Sequence, residues 1–290
     1  MSVSSRFEAF ISNIQLTQAQ LEDAQTKHTG VRKTLHQAYY TTPFDGSTSL
    51  LVGSYGKNTE IRPPNDIDIM FVLPPAEYNR YNNLLGNKQS QLLQDVKQIL
   101  LKTYSTTKMR ADGQVIVVPF TSYAVEVAPA FLLTSGQYCI CDTSLGGKWK
   151  TVDPKAESSA LVASNKRSSG KTIHLIKMAK VWKYYCNVPL KSFAIELLSI
   201  DFLASWQYYD KTTVYYDWMI RDFFKYIVSK ANSYIMTPCT YEIIWLGEEW
   251  KSRADTALAR AEKACEYETE KNELLASYEW KKIFGDDFPY

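Results

Sequence analysis

Hydrophobic residues in the first half of the chain occur first at a helical spacing and then in short strand-like runs. Near the start, apolar side chains recur at the spacing of one helix face, at Phe7, Phe10, Ile11 and Ile14. We therefore expect the first forty residues to be helical. Further on, apolar and β-branched runs predict strands over residues 49–52, 67–73, 114–118 and 123–127, and a helix over 84–104. This order predicts an α/β lobe.

The second half of the chain has a different pattern. From Asp153 onward the strand signals fade, and helices are predicted over residues 172–185, 192–209, 218–233 and 254–278. The pair Gly146-Gly147 is the best boundary. We therefore predict an α/β lobe with a long N-terminal helix over residues 1–147 and a helical lobe over 148–290.

The composition favours a soluble, cytoplasmic protein that binds small ligands. Of 290 residues, 45% are hydrophobic, and the five cysteines lack the spacing of a disulfide framework, so we expect reduced, buried thiols. No apolar signal core opens the chain, and its most hydrophobic stretch, residues 193–206, is broken by Glu196 and Asp201. The net charge of +2 is too small for a duplex-binding surface, which favours nucleotides over DNA.

The first candidate for chemistry is Gly53-Ser54 followed by Asp66-Ile67-Asp68, which leads into an apolar run. Aspartates two residues apart on a strand point to the same side, whereas Ile67 between them faces the core. A Gly-Ser turn offers backbone N–H groups to a phosphate with little bulk. Asp-x-Asp alone is often solvated surface, but this setting predicts a nucleotide site with Mg²⁺.

A third carboxylate lies in another predicted strand. Glu126 is set in the apolar segment 122–131, where an unpaired charge would be costly. We therefore expect Glu126 to face the same metal as the two aspartates.

Together the segments G-S, D-I-D-I and V-E-V-A-P-A-F resemble the nucleotidyltransferase core of the polymerase-β superfamily. Within it, the chain is similar to the bacterial cGAS/DncV-like nucleotidyltransferases (CD-NTases) of anti-phage (CBASS) systems. Segments 149–154, 174–183 and 191–198 follow in that family's order, so the resemblance covers nearly the whole chain. It implies an α+β fold, with a small mixed sheet and helices, a C-terminal helical lobe, and the active site in the cleft between them.

The resemblance implies that Asp66, Asp68 and Glu126 are catalytic and bind two Mg²⁺ ions, for which Mn²⁺ can substitute. Glu126 stands where many relatives carry Asp, a change that keeps the charge and lengthens the reach. No Cys/His cluster resembles the zinc insertion of the animal enzymes, since Cys139 and Cys141 are the only close pair. We therefore expect no DNA sensing by that route.

In the helical lobe, Lys177 and Lys180 lie three residues apart on one helix face. The resemblance implies that they bind the triphosphate, and a solvated basic face is the alternative. Lys171 and Lys183 are expected at the surface. Ser192 could bind a phosphate at a helix N-terminus or be an ordinary N-cap, and both can hold. Phe193 is a candidate base or ribose contact.

Three residues near the Gly-Ser turn have less definite assignments. Tyr55, beside Ser54, is a second candidate for a base or ribose contact. Arg62 and Asn65 could contact phosphate or order the turn before Asp66, and they stay unassigned.

The resemblance implies synthesis of a cyclic di- or trinucleotide second messenger from nucleoside triphosphates, ATP and GTP foremost, with pyrophosphate release. The alternative is a template-independent transferase acting on an RNA, a protein or a small-molecule hydroxyl. A degenerate fold that only binds a nucleotide or a partner is a third possibility. For the C-terminal residues 284–290 we consider a frayed end, a tail that docks on the protein, and a tail that is bound by a regulatory protein.

Overall fold

The structure is a computed structural model that describes residues 2–64 and 66–290, with only the backbone of Asp112. Asn65, left unassigned above, lies outside the described residues. The chain forms two compact units. The helical unit comprises residues 2–15, Ile61–Pro63 and Ala156–Tyr290, and the sheet unit comprises Leu16–Glu60 and Pro64–Lys155.

The sheet unit contains a mixed sheet in which a long central strand is paired along both edges. Its strands are β1 (Ser49–Leu51), β2 (Ile67–Val72), β3 (Arg110–Asp112), β4 (Val115–Pro119), β5 (Ala124–Leu132), β6 (Tyr138–Asp142) and β7 (Lys148–Val152). Strand β5 pairs with β2 in parallel, and with β4 and β6 in antiparallel fashion along its other edge. Strand β1 extends the sheet beyond β2, β3 extends it beyond β4, and β7 beyond β6. The predicted small mixed sheet is confirmed.

Helices cover one face of this sheet. They are α2 (Gln18–Tyr39), α4 (Pro75–Asn82) and α5 (Lys88–Thr103), and the short α3 (Gly53–Lys57) follows β1. Alternate residues of β2 and β5 share one core with α2 and α5, among them Ile67, Ile69, Val125 and Val127. The other face carries a smaller cluster that includes Met70 and Tyr138. Because side chains alternate along each strand, one set packs against the helices and the other set points to the opposite face of the sheet.

The helical unit contains α1 (Val3–Asn13), α7 (Lys171–Tyr185), α8 (Ser192–Ser205), α9 (Tyr216–Val228), α10 (Lys251–Thr269) and α11 (Glu273–Phe284), and most of α6 (Pro154–Arg167). It also contains a hairpin of β8 (Tyr234–Met236) and β9 (Ile243–Trp245). Its core lies around α7, with Leu175, Met178 and Trp182 fully buried.

The N-terminal region forms two helices instead of one. Ser2 caps α1, and Thr17 starts α2 with a capping box, in which its Oγ1 accepts from Gln20 N at 3.3 Å. Helix α1 belongs to the helical unit and α2 to the sheet unit, and strand β7 also belongs to the sheet unit. The compact units therefore differ from the predicted boundary at residues 147 and 148.

Helix ends also differ from the predictions. The predicted helix over 254–278 is two helices, because Lys271 adopts a positive φ and Asn272 caps α11. The predicted helix over 192–209 ends at Ser205.

The expectation of a frayed C-terminus is wrong. Phe288 is fully buried, and its ring centroid lies 5.2 Å from those of Phe7 and Phe10. Asn13 Nδ2 donates to the carbonyl oxygen of Asp287 at 2.9 Å. The tail therefore holds α1 within the helical unit.

Among the described residues, no helix is long and apolar enough to cross a membrane.

Candidate active site

Two of the three predicted carboxylates lie directly beside each other. Asp68 on β2 and Glu126 on β5 are partners in the parallel ladder. Neighbouring strands are about 4.8 Å apart, and paired residues point to the same face. Ile67 is fully buried on the opposite face, as predicted. The register therefore places both carboxylates on the face that the helices leave open.

Asp66 immediately precedes β2 and is exposed, whereas Asp68 and Glu126 are partly buried. Its position two residues before Asp68 is the spacing that returns a side chain to the same side of a strand. The three carboxylates therefore belong to one end of two neighbouring strands.

Gly53 lies against the carboxylate of Asp68. Its φ is +57°, and a Cβ at this position would lie 1.8 Å from Asp68 Oδ2. Val52 N donates to the backbone oxygen of Asp68 at 3.0 Å, which fixes the start of α3 on β2. The Gly53-Ser54 turn is therefore next to the acidic pair, as a shared nucleotide site requires.

Gly56, three residues after Gly53 in α3, is a second glycine that this turn requires and that the motif alone does not indicate. A Cβ on Gly56 would lie 2.3 Å from the carbonyl oxygen of Leu51, so this position also requires glycine. The spacing of Gly53 and Gly56 was the available signal, because only glycine permits such backbone approach. Lys57, the last residue of α3, is buried.

A basic residue on the same sheet face was also missed. Val117 on β4 pairs with Glu126, and Arg110 on β3 pairs with Val117. Asp68, Glu126, Val117 and Arg110 therefore form one row across four strands, in which Arg110 is exposed. Only the strand register reveals this row, since the four residues are distant in sequence.

The acidic residues fit a metal that is shared with a substrate. Within residues 2–64 and 66–290, no three His, Cys, Asp or Glu side chains come close enough to hold a metal by themselves. Mg²⁺ commonly takes one or two carboxylates and completes its six ligands with water and substrate phosphates. The adjacent pair Asp68 and Glu126, beside Gly53, matches that arrangement and does not match a site made of protein ligands alone.

Helix α7 carries the predicted phosphate-binding lysines within the helical unit. Lys177 and Lys180 are only 4% and 6% exposed, so the alternative of a solvated basic face is wrong. His174, one turn earlier, has its pKa lowered by burial and by the charges of Lys177 and Lys171. Its Nδ1 lies 2.7 Å from the hydroxyl of Tyr216. The helix therefore carries a group of buried basic side chains.

Lys171 and Lys183 are not the surface residues that we expected. Lys171 is buried, and its Nζ donates to the carbonyl oxygen of Ser168 at 3.1 Å. Lys183 is partly buried, and its Nζ donates to Ser192 Oγ at 3.0 Å. Burial lowers the pKa of Lys183. Both side chains are ordered by polar partners, which sequence spacing does not reveal.

Ser192 is the first residue of α8 and is not its N-cap. The N-cap is Lys191, and no side chain caps this helix end. The N-cap prediction for Ser192 is therefore wrong, and the phosphate role stays a prediction. Phe193 is partly buried beside it.

Two other predictions about side chains are corrected. Tyr55 packs edge-on against Tyr123 in the core of the sheet unit, at 6.4 Å between ring centroids, so a base contact is not supported. Cys139 and Cys141 are buried, and burial raises the pKa of Cys141 to about 12. Cys239, in contrast to the expectation of buried thiols, is exposed.

The structure thus assembles two groups of predicted residues, each within its own unit. Asp68 and Glu126 meet beside Gly53 in the sheet unit, and Lys177, Lys180, Ser192 and Phe193 lie on α7 and α8 of the helical unit. That both groups serve one nucleotide stays a prediction.

Comparison with known proteins gives matches along the chain. The family model described as Second Messenger Oligonucleotide or Dinucleotide Synthetase domain matches residues 1–165. The cyclic AMP-AMP-AMP synthase of Acinetobacter sp. (strain ATCC 27244 / 9458) is 24% identical to this chain. The alignment of 309 residues, gaps included, covers 100% of this chain and 86% of that protein.

Solved structures have the same fold. CdnC of Escherichia coli MS115-1, in complex with HORMA-deltaN, aligns with a TM-score of 0.72 at 17% identity, over 99% of this chain and 98% of that chain. The cyclic AMP-GMP synthase DncV of Vibrio cholerae, in complex with a linear intermediate, aligns with a TM-score of 0.67 at 14% identity, over 99% and 87%. These likenesses confirm the α+β fold over the whole chain.

Proposed function

The chain belongs to the Second Messenger Oligonucleotide or Dinucleotide Synthetase family, and from this membership we propose how its residues carry out the reaction. It is a nucleotidyltransferase of the anti-phage group, and it joins nucleoside triphosphates into a cyclic oligonucleotide with release of pyrophosphate. The observation that carries the assignment of its active site is the pairing of Asp68 with Glu126 beside Gly53.

Asp66, Asp68 and Glu126 hold the divalent cations, two Mg²⁺ ions for which Mn²⁺ can substitute. When bound, these ions lower the pKa of the acceptor hydroxyl and neutralise charge on the departing pyrophosphate. The carboxylates would fix where the cations lie, and through them the reacting phosphate, because their strands are paired in one register.

The Gly53-Ser54 turn binds the triphosphate of the donor nucleotide. Backbone N–H groups at the start of α3 and the hydroxyl of Ser54 can donate to phosphate oxygens. The absence of a side chain on Gly53 leaves room for the Asp68 carboxylate directly beside this turn. A triphosphate on this turn would have its α phosphorus next to the acidic pair.

Glu126 acts on the acceptor side. Its carboxylate accepts a hydrogen bond from the ribose hydroxyl and orients that oxygen toward the α phosphorus. A new O–P bond forms as the bond to pyrophosphate breaks, and the hydroxyl proton passes to Glu126 or to water. Repeating the transfer within the linear product closes the ring.

Lys177 and Lys180 bind the β and γ phosphates, and Ser192 and Phe193 contact the same nucleotide. Their position three residues apart on one face of α7 supports this role, since two ammonium groups on one helix face can bind the same triphosphate. The uncapped start of α8 leaves N–H groups that favour an anion. The role requires both units to contact one nucleotide, which is part of the proposal.

ATP and GTP are the proposed substrates, and a cytoplasmic location is the proposed setting. The solved complex of CdnC with HORMA-deltaN supports a protein partner for this chain as well. Since Phe288 is buried, a partner at the C-terminal tail could reach the exposed Asp286, Asp287 and Tyr290 without unfolding the end.

Incubation of the purified protein with Mg²⁺ and labelled triphosphates tests the function. We expect small, phosphatase-resistant products, identified by mass spectrometry, and equimolar pyrophosphate for each bond. Label on RNA, protein or a small hydroxyl compound would support the alternative acceptor instead. The variant Asp66→Asn/Asp68→Asn should make no product at an unchanged melting temperature, and retained synthesis would refute the site.

A further inference from the structure

The hairpin of β8 and β9 has one face in the core and one apolar face in solvent. Ile235 and Ile244 pack against the core of the helical unit. The other face carries two cross-strand pairs with 48% to 72% of each side chain exposed, Tyr234 with Trp245 and Met236 with Ile243. Contiguous exposed apolar patches that are rimmed by polar residues mark interaction sites.

The aromatic residues extend this surface, which we call the hairpin face and define as Tyr234, Met236, Tyr241, Ile243 and Trp245. Tyr241, in the connecting turn, is 72% exposed. The rings of Tyr234 and Trp245 pack edge to face with centroids 5.5 Å apart. Large aromatic side chains at this density are typical of residues that dominate binding energy.

The turn between the strands is held by its own hydrogen bonds. Glu242 N donates to Thr237 Oγ1 at 2.9 Å, and the hydroxyls of Thr237 and Thr240 are 2.7 Å apart. Tyr241 N also donates to the carbonyl oxygen of Thr237 at 3.2 Å. The surface is therefore ordered before any ligand arrives, which lowers the entropy cost of binding.

The charges around the hairpin face restrict what can cover it. Residues 231–250 contain Glu242, Glu248 and Glu249, all exposed, and no lysine or arginine. The flanking Lys230 and Lys251 each pair with an aspartate, at 3.6 Å and 2.8 Å, so they do not offset these three charges. This acidic border repels nucleic acid and anionic lipid, and it would repel the same border on a second copy of the chain. It favours a protein with an apolar centre and basic ends.

The backbone indicates the form of that partner. In the part of the chain that the structure describes, β8 and β9 pair only with each other, so their outer edges continue into no further strand. An extended segment can add to such an edge and place alternate side chains on one face. We propose that the hairpin face binds an extended protein segment of alternating apolar residues flanked by lysine or arginine.

A display library of random peptides of about ten residues, long enough to follow a strand and its turn, tests the proposal on the full-length protein. Counter-selection uses the variant Tyr234→Ser/Trp245→Ser, which removes two exposed rings and leaves Ile235 and Ile244 in the core. Enriched peptides should alternate apolar residues and carry basic ends. A synthetic peptide of the enriched sequence should bind wild type at least about tenfold more tightly than the variant.

Two further variants distinguish the contribution of the border charges from nonspecific hydrophobic binding. Glu242→Lys/Glu249→Lys should weaken binding of that peptide and reduce its salt dependence, because the border charges are reversed. Leu274→Ser/Tyr278→Ser removes two similarly exposed apolar side chains from α11 and should leave binding unchanged. The exposed thiol of Cys239 reports the location, since the peptide should slow its reaction with a maleimide.

Several outcomes would overturn the proposal. They are the absence of enriched peptides, enrichment of acidic peptides, or equal binding to wild type and to Tyr234→Ser/Trp245→Ser. Concentration-dependent dimers lost in that variant would assign the hairpin face to a second copy. Binding of oligothymidylate or phosphatidylserine vesicles that is lost in the same variant would assign it to nucleic acid or membrane. None of these results affects nucleotide synthesis, which is measured separately.

Discussion

The Asp68 carboxylate occupies the space that a side chain on Gly53 would fill. In Gly53→Ala, the new Cβ would lie 1.8 Å from Asp68 Oδ2 at a φ of +57°, so Asp68 must move. A displacement of about 1 Å at a reacting centre can reduce the rate about a hundredfold. We therefore expect a loss of that size in pyrophosphate release with ATP and GTP.

Gly136→Ala is the matched control for this variant. Gly136 has a φ of +85°, and a Cβ there meets no atom within 4 Å. It shares the cost of a positive φ without contacting the active site. Both variants should lower the melting temperature, but only Gly53→Ala should lose activity, and equal activities would contradict the placement of Asp68.

Two substitutions of Glu126 separate the effect of its negative charge from the effect of its side-chain length. Glu126→Gln removes the negative charge beside Asp68 and should abolish synthesis. Glu126→Asp keeps the charge and shortens the reach, so it should retain measurable activity with a higher Mg²⁺ requirement. Rates measured across a Mg²⁺ titration check both, and full activity of Glu126→Gln would remove Glu126 from the site.

Asp217 on α9 gives the helical unit a pH-dependent stability. Burial, supported by the charge of Glu268, raises the pKa of Asp217 to about 6 from its ordinary 3.8. The folded state therefore binds this proton more tightly, so stability falls as the pH rises from about 4 to about 6. Asp217→Asn should stabilise the protein at pH 7.5 by up to about 3 kcal/mol and give no gain at pH 4.

Denaturant unfolding at both pH values measures this effect. Asp286→Asn, at a fully exposed position, is the control and should change stability little at either pH. A gain for Asp217→Asn that is the same at pH 4 and pH 7.5 would contradict the role of its ionisation.

Some residue-level features followed from the sequence and others could not. The facing of Asp68 and Glu126 followed from strand alternation and from the cost of an unpaired charge in an apolar strand. The burial of Lys171 and the bond from Lys183 to Ser192 did not, because each depends on segments brought together by tertiary packing. Local spacing contains no signal for such partners.

Among the elements, strongly patterned segments were predicted and weakly patterned ones were missed. Strand β2 and helix α7 appear within a residue or so of their predicted bounds. Helix α6 was missed because Leu161 is its only buried residue, so it lacks an apolar stripe. The hairpin of β8 and β9 was missed because each strand has only three residues.

The contact between α1 and the C-terminal segment should contribute measurably to stability. Phe288→Ala removes a fully buried ring that contacts Phe7 and Phe10, and should cost about 3–5 kcal/mol. Chemical denaturation measures the change. The control Tyr290→Ala, at a side chain that is 60% exposed, should cost far less, and equal effects would mean that the tail does not pack as described.

At the scale of the whole molecule, the proposed function requires both units to contact one nucleotide. Lys180→Met keeps most of the side-chain volume and removes the charge, so it should raise the KM for triphosphate more than it lowers kcat. Lys225→Met, at an exposed position on α9, is the control and should leave both constants unchanged. An unchanged KM for Lys180→Met would remove α7 from the nucleotide site.

The organisation of the whole chain was predictable mainly through family resemblance. The motifs around Gly53, Asp66 and Glu126 led to the family whose model matches residues 1–165. The assignment of α1 to the helical unit was not predictable, since it depends on long-range contacts with residues near the C-terminus.

The in-register pairing of β2 and β5 also limits how this protein can evolve. A single residue inserted in β5 before Glu126 would turn this side chain toward the hydrophobic core of the sheet unit. It would also bring a valine to the sheet face that carries Asp68. Loss of fold and loss of chemistry would then occur in one step. Length variation among descendants of this chain should therefore accumulate in the connecting turns, whereas the segment from Ala124 to Leu132 keeps its length as long as the enzyme remains active.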